Sequence, residues 1–203
     1  MPRQAKKLSL KFSKRARELN VIRRKMEILC RKGDLNVIDV EEVYAGIFLD
    51  IFTEFEALIE NLFLGLVSGE LYSVVYSIQR KVKIIPDSMV REIVYAGKSY
   101  LDWLPYKDNT IPRAKIYFNK GEPFTLLDDQ QKANLQNYHF IRNALAHKSD
   151  SATKKFEDSI RGLPLLPSEK TPTGYLRSIP HKPQTQYQIA VINLQIIANT
   201  LCA

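Results

Sequence analysis

A chain of 203 residues, 45% of them hydrophobic, is long enough for one domain with a buried core, or for one domain with an extension. Its two cysteines, Cys30 and Cys202, are too far apart in sequence to indicate a zinc site or a disulfide framework, so we expect no metal, no cofactor and a reducing, cytoplasmic setting. The basic first residues lack the apolar segment of a signal peptide, and no apolar run approaches the ~20 residues of a membrane span.

The net charge of +8 is carried entirely by the N-terminal segment. Residues 1–32 hold twelve lysines and arginines but only two acids, a net charge of +10, whereas residues 33–203 hold 18 basic and 20 acidic residues, a net charge of −2. This asymmetry indicates a polyanionic partner, either nucleic acid or an anionic membrane surface. Because the segment has no Trp and only Phe12 as a large aromatic anchor, we expect nucleic acid and no membrane.

The same segment has the periodicity of an amphipathic helix. Its apolar residues recur at helical spacing, as Leu8, Phe12, Leu19, Ile22, Met26 and Leu29. Its cations fall mostly on the other sides, at positions 11, 14, 15, 17, 23, 24 and 25. We predict a basic N-terminal helix over residues 1–32, ended by Gly33 and Asp34, and a helical domain over residues 33–203 in which Asp39 caps the next helix.

Residues 40–67 carry the strongest helical signal. Nine apolar residues form one broad stripe, namely Phe48, Ile51, Phe52, Phe55, Leu58, Ile59, Leu62, Phe63 and Leu66. Most polar residues of this segment lie away from the stripe, but Glu56 falls at its edge at ~100° per residue. We therefore expect Glu56 to be the acid of this helix that is partly buried.

Residues 70–85 are ambiguous, because their Val and Ile residues suit either a helix or a short hairpin. After Pro86, Asp87 is a suitable N-cap for a helix through about Trp103. A turn over residues 104–109 and a short helix over residues 111–119 follow, and Gly121-Glu122-Pro123 ends that helix.

Three more helices complete an all-α fold. They are predicted over residues 127–147, 150–162 and 185–202, and the segment between the last two is rich in Pro and loop-like. The core face of the first of these helices consists of Leu127, Leu135, Tyr138, Ile141 and Leu145.

The candidate catalytic residues lie at the end of the 127–147 helix, in the stretch Arg142-Asn143-Ala144-Leu145-Ala146-His147. Asn143 and His147 are four residues apart and share a helix face, whereas Arg142 and His147 are about 140° apart on an ideal helix. Arg142 and His147 therefore converge only if the helix ends near His147 or if a second chain completes the site.

These groups suit metal-free cleavage of RNA, in which the ribose 2′-OH attacks the adjacent phosphorus. His147 would transfer a proton near neutral pH, which is worth ~10²–10⁴-fold in rate. Arg142 would stabilise charge on the phosphoryl oxygens, which is worth roughly 2.7–4 kcal/mol by analogy with oxyanion donors. Asn143 would orient His147 or hold a phosphate oxygen.

The pattern Arg-Asn-x-x-x-His at a helix end resembles the HEPN superfamily, whose hallmark is an Arg followed after four to six residues by a His. Glu56, within Phe52-x-x-Phe55-Glu56-x-x-Ile59, is similar to the acid in the first helix of that superfamily. Three further pieces look like its RiboL-PSP-HEPN branch, namely Trp103-Leu104-Pro105-Tyr106, Pro123-Phe124 and Gly174-Tyr175-Leu176-Arg177.

The resemblance implies a HEPN-like helical bundle with an added basic N-terminal helix. It implies a metal-independent endoribonuclease that acts on RNA as a homodimer with a composite active site, in the role of a toxin or phage-defence effector. The catalytic residues would be Arg142, Asn143, His147 and Glu56. Ser149 stands where toxins silenced by nucleotidyl transfer carry a Tyr, two residues after the His, so we do not expect that form of control.

Other interpretations stay open from the sequence. A non-catalytic nucleic-acid-binding module would explain the basic segment equally well. A helical partner protein of a toxin–antitoxin or defence system would use the Ile- and Leu-rich last helix as an interface. The single residues also have structural interpretations: Arg142 as a helix-end ion pair, His147 as a histidine favoured by the helix macrodipole, and Glu56 as the solvated edge of a stripe.

Overall fold

The structure, a computed structural model, describes residues 2–83, 85–147, 149–180 and 183–203. This part of the chain is all-α, as predicted, and its two strands are two residues long each. Its helices are α1 (Lys6–Lys32), α2 (Val37–Ser68), α3 (Asp87–Tyr95), α4 (Ile111–Tyr117), α5 (Asp129–His147), α6 (Asp150–Ile160), α7 (Pro172–Arg177) and α8 (Gln186–Leu201). None of these helices is both long enough and apolar enough to cross a membrane.

Contacts divide the chain into two compact units, each built from separate stretches of sequence. The first unit consists of the segment that ends at Ser13, together with Glu54–Gln136 and Gln195–Ala203. The second unit consists of Lys14–Thr53 and Asn137–Leu194. Helices α1, α2, α5 and α8 each contribute residues to both units.

A cluster of aromatic rings lies at the centre of the first unit. The Phe63 ring on α2 lies 5.0–5.5 Å, between centroids, from four other rings, those of Trp103, Tyr117, Phe118 and Phe124. Large aromatic side chains removed from water dominate core energetics, and Phe63, Phe118 and Phe124 are fully buried. All nine residues of the apolar stripe predicted for α2 are buried, which confirms that the stripe is part of the hydrophobic core.

Residues 70–85 form neither a helix nor a hairpin, and both predictions are wrong for the described residues 70–83 and 85. Leu71–Tyr72 forms β2, which pairs in parallel with β1 (Arg3–Gln4). The backbone of Glu70 and Tyr72 accepts hydrogen bonds from Arg3 and Ala5, at 2.7 and 2.9 Å. The segment is extended because its hydrogen-bond partners come from a distant part of the sequence, which local periodicity cannot reveal.

Two helix starts differ from their predictions. α2 begins after Asn36, whose side chain accepts a hydrogen bond from the Asp39 N–H at 2.9 Å while the Asp39 carboxylate accepts one from the Asn36 N–H at 3.2 Å. Asn36 is therefore the cap, and Asp39 is its reciprocal partner in a capping box. α3 begins at Asp87 with Pro86 as its N-cap and no side-chain cap bond, so Asp87 is not the cap.

Two further boundaries in the first unit differ from the prediction. α3 ends at Tyr95, where Ala96 takes a left-handed conformation with φ 49°, and not at Trp103. The turn predicted over residues 104–109 is a single π-helical turn, Tyr106–Thr110, that leads directly into α4.

α1 is amphipathic as predicted, and it ends as predicted at Gly33 and Asp34. Gly33 has φ +82°, and the Gly33 and Asp34 N–H groups donate to the carbonyls of Cys30 and Leu29, both at 3.0 Å. The prediction is wrong for two side chains of α1. Ile22, predicted on the apolar face, is 39% exposed, and Arg23, predicted among the outer cations, is only 9% exposed.

The remaining helices lie close to their predicted positions. α5, α6 and α8 match the segments 127–147, 150–162 and 185–202 to within two residues at each end. α7 is an addition within the Pro-rich segment, where the Thr171 hydroxyl accepts a hydrogen bond from the Gly174 N–H at 3.1 Å and so caps the helix.

Candidate active site

The candidate site lies in the second unit, at the C-terminal end of α5. The helix is fixed at its start by a capping box in which Asp128 and Gln131 exchange hydrogen bonds of 2.7 and 3.0 Å. Its last residue is His147, and Ser149 then caps α6 by accepting a hydrogen bond from the Ala152 N–H. α5 thus ends at His147, which meets the first of the two conditions under which Arg142 and His147 are expected to converge.

Arg142 and His147 do converge within one chain. Arg142 Nη1 lies 3.1 Å from His147 Nε2, and the His147 side chain is exposed while Arg142 is half-buried. On an ideal helix these two positions are about 140° apart. Their contact therefore depends on the end of the helix and on the length of the arginine side chain.

Asn143 holds the arginine and not His147. Arg142 Nη1 also donates to Asn143 Oδ1 at 3.0 Å. Asn143 Nδ2 in turn lies 3.0 Å from His139 Nε2, one helical turn earlier. The side-chain oxygen and nitrogen of Asn143 are engaged by Arg142 and His139, so Asn143 reaches His147 through Arg142. Its predicted role, to orient His147 or to hold a phosphate oxygen, stays a prediction.

The direction of the hydrogen bonds among His139, Asn143, Arg142 and His147 follows from the chemistry of arginine. A guanidinium has N–H donors and no acceptor, so Arg142 is the donor in its 3.1 Å contact with His147 Nε2. Asn143 Oδ1 accepts from Arg142, so Asn143 Nδ2 is the donor toward His139 Nε2. Arg142 Nη1 thus contacts both Asn143 and His147, and Asn143 links the arginine to His139.

Part of the guanidinium is left for a ligand. Both bonds to Asn143 and His147 use the same nitrogen, Nη1. Within the described residues, Arg142 Nη2 and Nε form no hydrogen bond and no described carboxylate pairs with Arg142. Two adjacent donors with a permanent charge suit two oxygens of a phosphate.

Glu56 lies on α2 within the first unit, whereas Arg142, Asn143 and His147 belong to the second unit. Its side chain is half-buried, which confirms the expected partial burial. Partial burial does not single it out, because Asp50, Glu54 and Glu60 on the same helix are also half-buried.

The second unit contains a charged network that the sequence interpretation did not identify. Arg177 on α7 donates to both carboxylate oxygens of Glu27 on α1, at 3.1 and 3.3 Å, and Tyr44 Oη donates to Glu27 at 3.0 Å. Arg23 Nη1 donates to Tyr44 Oη at 3.3 Å. Burial favours the neutral carboxyl, but the hydrogen bonds from Arg177 and Tyr44 hold the pKa of Glu27 below its usual value.

Three members of this network, Arg23, Glu27 and Arg177, line a groove of about 530 Å³ together with Arg31, Glu41 and Glu169. Its three arginines face three glutamates, so charges of both signs balance across it. The only sequence signal for it is the four-residue spacing of Arg23 and Glu27 on α1, which puts both on one helix face. We assign the network to holding α7 and α1 together.

No family model, curated protein or solved structure matches the chain. Among the described residues, no group of three or more His, Cys, Asp or Glu side chains is placed to hold a metal ion. The interpretation of the site therefore depends on its geometry and on the residues of the sequence.

Proposed function

We propose that this protein is a metal-independent endoribonuclease that cleaves RNA through attack of the ribose 2′-OH on the adjacent phosphorus. The observation that supports this most strongly is the 3.1 Å contact between Arg142 Nη1 and His147 Nε2 at the exposed end of α5. A permanent cation and a proton carrier at one point are the two groups that this reaction needs most. The resemblance of the Arg142–His147 pattern to the HEPN superfamily supports the same activity.

In the proposed reaction, His147 Nε2 accepts the proton of the 2′-OH as the 2′-oxygen bonds to phosphorus. The guanidinium of Arg142 shifts from Nε2 to the phosphoryl oxygens, where negative charge accumulates, and it brings the free Nη2 and Nε donors with it. The bond from phosphorus to the 5′-oxygen breaks, and that oxygen takes a proton from an acid. The products are a 2′,3′-cyclic phosphate and a 5′-OH.

The proposed enzyme is a homodimer with a composite active site. Each reaction needs a base for the 2′-OH and an acid for the 5′-oxygen, and one α5 end offers one exposed histidine. A second copy of the chain would supply a second Arg142–His147 pair and so the missing acid. Glu56 is proposed as a further catalytic carboxylate, on the resemblance alone.

The cysteines and the charge distribution of the chain fit an intracellular effector that acts on RNA. Cys30 and Cys202 are both free thiols, which suits a reducing compartment such as the cytoplasm. The net charge of +10 over residues 1–32 suits a polyanionic substrate. We propose that the protein is a toxin or phage-defence effector, whose activity a partner protein such as an antitoxin would restrain.

The chemistry can be tested with a pair of substrates. The protein is incubated in EDTA with an RNA and with the same sequence methylated at every 2′-oxygen. Cleavage of the unmodified RNA alone, with a 2′,3′-cyclic phosphate on the product, is the expected result. Cleavage of the methylated RNA, or cleavage that occurs only when a divalent metal is added, would reject the mechanism.

A second candidate is a non-catalytic nucleic-acid-binding module, favoured by the exposed cations of α1. It predicts binding without products and a steep dependence on salt. Arg142→Ala would then weaken binding no more than removal of another exposed cation, such as Lys154→Ala on α6.

A further inference from the structure

The cations of α1 that lie in the second unit, from Lys14 onward, divide into two groups by their contacts. Arg15 pairs with Asp50 and with Glu18, and Arg23 is 9% exposed with its guanidinium on Asn20 Oδ1 and Tyr44 Oη. These two arginines are engaged within the second unit. They are not available to a ligand, although they count toward the charge of the segment.

The second group consists of six exposed cations that form no ion pair with any described carboxylate, namely Lys14, Arg17, Arg24, Lys25, Arg31 and Lys32. Of these, Arg31 also lines the groove that contains Glu27, Glu41 and Glu169, without forming an ion pair there. At about 100° per residue, Arg17, Arg24 and Arg31 fall within ~40° of one another, in a row along the helix. The three lysines form a parallel row at ~80–100° from Arg24. We call these six residues the cationic ridge; at 1.5 Å per residue it is about 27 Å long.

We propose that the cationic ridge binds the phosphate backbone of double-helical RNA. This deepens the proposed function, on which it rests for the choice of RNA, by naming a duplex-containing RNA as the substrate class. Six unpaired charges on one face of a rigid helix are complementary to a run of phosphates. The ridge lies in the second unit, as do Arg142 and His147.

Two observations favour a duplex over a single strand. Proteins that bind single strands stack bases on aromatic side chains, and residues 14–32 contain no aromatic residue. Duplex RNA is recognised instead through its shape, its phosphates and its 2′-hydroxyls, which lysine and arginine can contact directly. The ridge therefore carries the groups that bind a backbone and lacks those that read unpaired bases.

An acidic protein helix is the competing occupant, because Val21 and Ile28 lie between the two rows and are each 48% exposed. Such a partner would bury both side chains, whereas a phosphate backbone would not need them. Because this surface holds six exposed cations and only two apolar side chains, RNA is the occupant that it fits better.

The test is the binding of a 20-base-pair hairpin RNA and of an unpaired RNA of equal length, measured at several salt concentrations. All variants carry His147→Ala, which leaves the substrate intact under the proposed function. We expect tighter binding of the hairpin. Arg17→Gln with Arg24→Gln should lower affinity at least ~10-fold and reduce the slope of log K against log salt by about 2.

The matched control is Lys154→Gln with Lys155→Gln on α6, which removes the same charge from exposed positions outside the ridge. We expect it to leave the slope within about 0.5 of the starting protein. Val21→Ser with Ile28→Ser should leave RNA binding unchanged. Equal losses from the ridge and control pairs, equal affinity for both RNAs, or a loss of RNA binding from the serine pair would overturn the proposal.

Cleavage of an RNA that contains both a hairpin and an unpaired segment, by the chain with His147 intact, separates this proposal from the catalytic one. If that chain never cleaves but the ridge pair still loses hairpin binding, the ridge stands and the proposed function fails. If it cleaves while the ridge pair binds hairpin RNA normally, the ridge is wrong and the proposed function stands.

Discussion

Arg142 and His147, five residues apart, meet at the end of α5 through a hydrogen bond of 3.1 Å from Nη1 to Nε2. The same Arg142 nitrogen is held at 3.0 Å by the side-chain oxygen of Asn143. Asn143, on the same helix, thus holds the guanidinium in place, and the remaining Arg142 donors, Nη2 and Nε, lie on the same guanidinium that contacts the imidazole. This arrangement leads to separate expectations for each of the three side chains.

Arg142→Lys keeps the charge but loses the planar fork, so lysine cannot hold a phosphate and contact the imidazole in the same way. We expect Arg142→Ala to lower kcat for RNA cleavage by about 10²–10³-fold, in the range for loss of one oxyanion donor, and Arg142→Lys to recover only part of it. Steady-state kinetics measures both variants, with circular dichroism as the control for folding. Equal activity of the alanine variant and the original chain would contradict the role of Arg142.

We expect Asn143 to position the Arg142 guanidinium and to take no direct part in the reaction. Asn143→Ala removes the acceptor for Arg142 Nη1 and the donor to His139, so the guanidinium should lose its fixed orientation. We expect kcat to fall by about 10-fold or more with KM little changed, because misplacement of a catalytic group costs rate. A rise in KM with unchanged kcat would instead assign Asn143 to uniform substrate binding.

Glu27 is expected to stabilise the second unit in a pH-dependent way. Its side chain and that of Arg177 are only 16% and 23% exposed, so Glu27→Gln should lower the free energy of unfolding at pH 7 by about 2 kcal/mol, less than for a fully buried pair. The pKa of Glu27 is lowered in the folded state, from an ordinary value of 4.5. The contribution is therefore complete above pH 4.5 and is lost as the pH falls through the lower folded-state value.

Urea denaturation of the original chain and of the Glu27→Gln variant, at pH 7 and at pH 3, measures this contribution. We expect the difference in unfolding free energy between the two proteins to shrink at the lower pH. Glu70→Gln is the control, because Glu70 and its partner Arg3 are 44% and 64% exposed and the pair should contribute less than about 1 kcal/mol. A Glu27→Gln difference that is small at pH 7, or larger at pH 3 than at pH 7, would contradict this account.

Two glycines should respond in opposite directions to alanine. At Gly174 an added Cβ would collide with the backbone carbonyl oxygen of Ser168, so Gly174→Ala requires the backbone to move and should destabilise the fold by more than about 1 kcal/mol. At Gly46, inside α2, an added Cβ meets nothing within 4 Å, so Gly46→Ala should stabilise by about 0.5–1 kcal/mol through helix propensity. Thermal unfolding distinguishes the signs. A Gly174→Ala variant that is as stable as the original chain would contradict the packing around Gly174, and a destabilised Gly46→Ala variant would contradict the open space at Gly46.

The sequence predicted those parts of the fold in which periodicity and burial agree. The stripe from Phe48 to Leu66 and the helix end at His147 follow from local spacing, and the structure has both. The strand at Leu71–Tyr72 could not be predicted, because its partner is Arg3–Gln4, far away in the sequence. The burial of Arg23 was missed for the same reason, since Tyr44, which it contacts, lies on another helix.

The site was predictable to a similar extent. The convergence of Arg142 and His147 needed only the end of α5, and that end is encoded locally. The partner of Asn143 was not predictable, because His139 and His147 are equally spaced from it on the helix face and only the side-chain rotamers select between them.

The most direct test of the central claim is cleavage of RNA in EDTA by the original chain and by His147→Ala. We predict that the original chain cuts the RNA and that the variant loses at least ~10²-fold in rate while it keeps its fold and its affinity for RNA. Equal cleavage by both proteins, or intact RNA with both proteins bound to it, would contradict the role of the Arg142–His147 pair and favour a nucleic-acid-binding module.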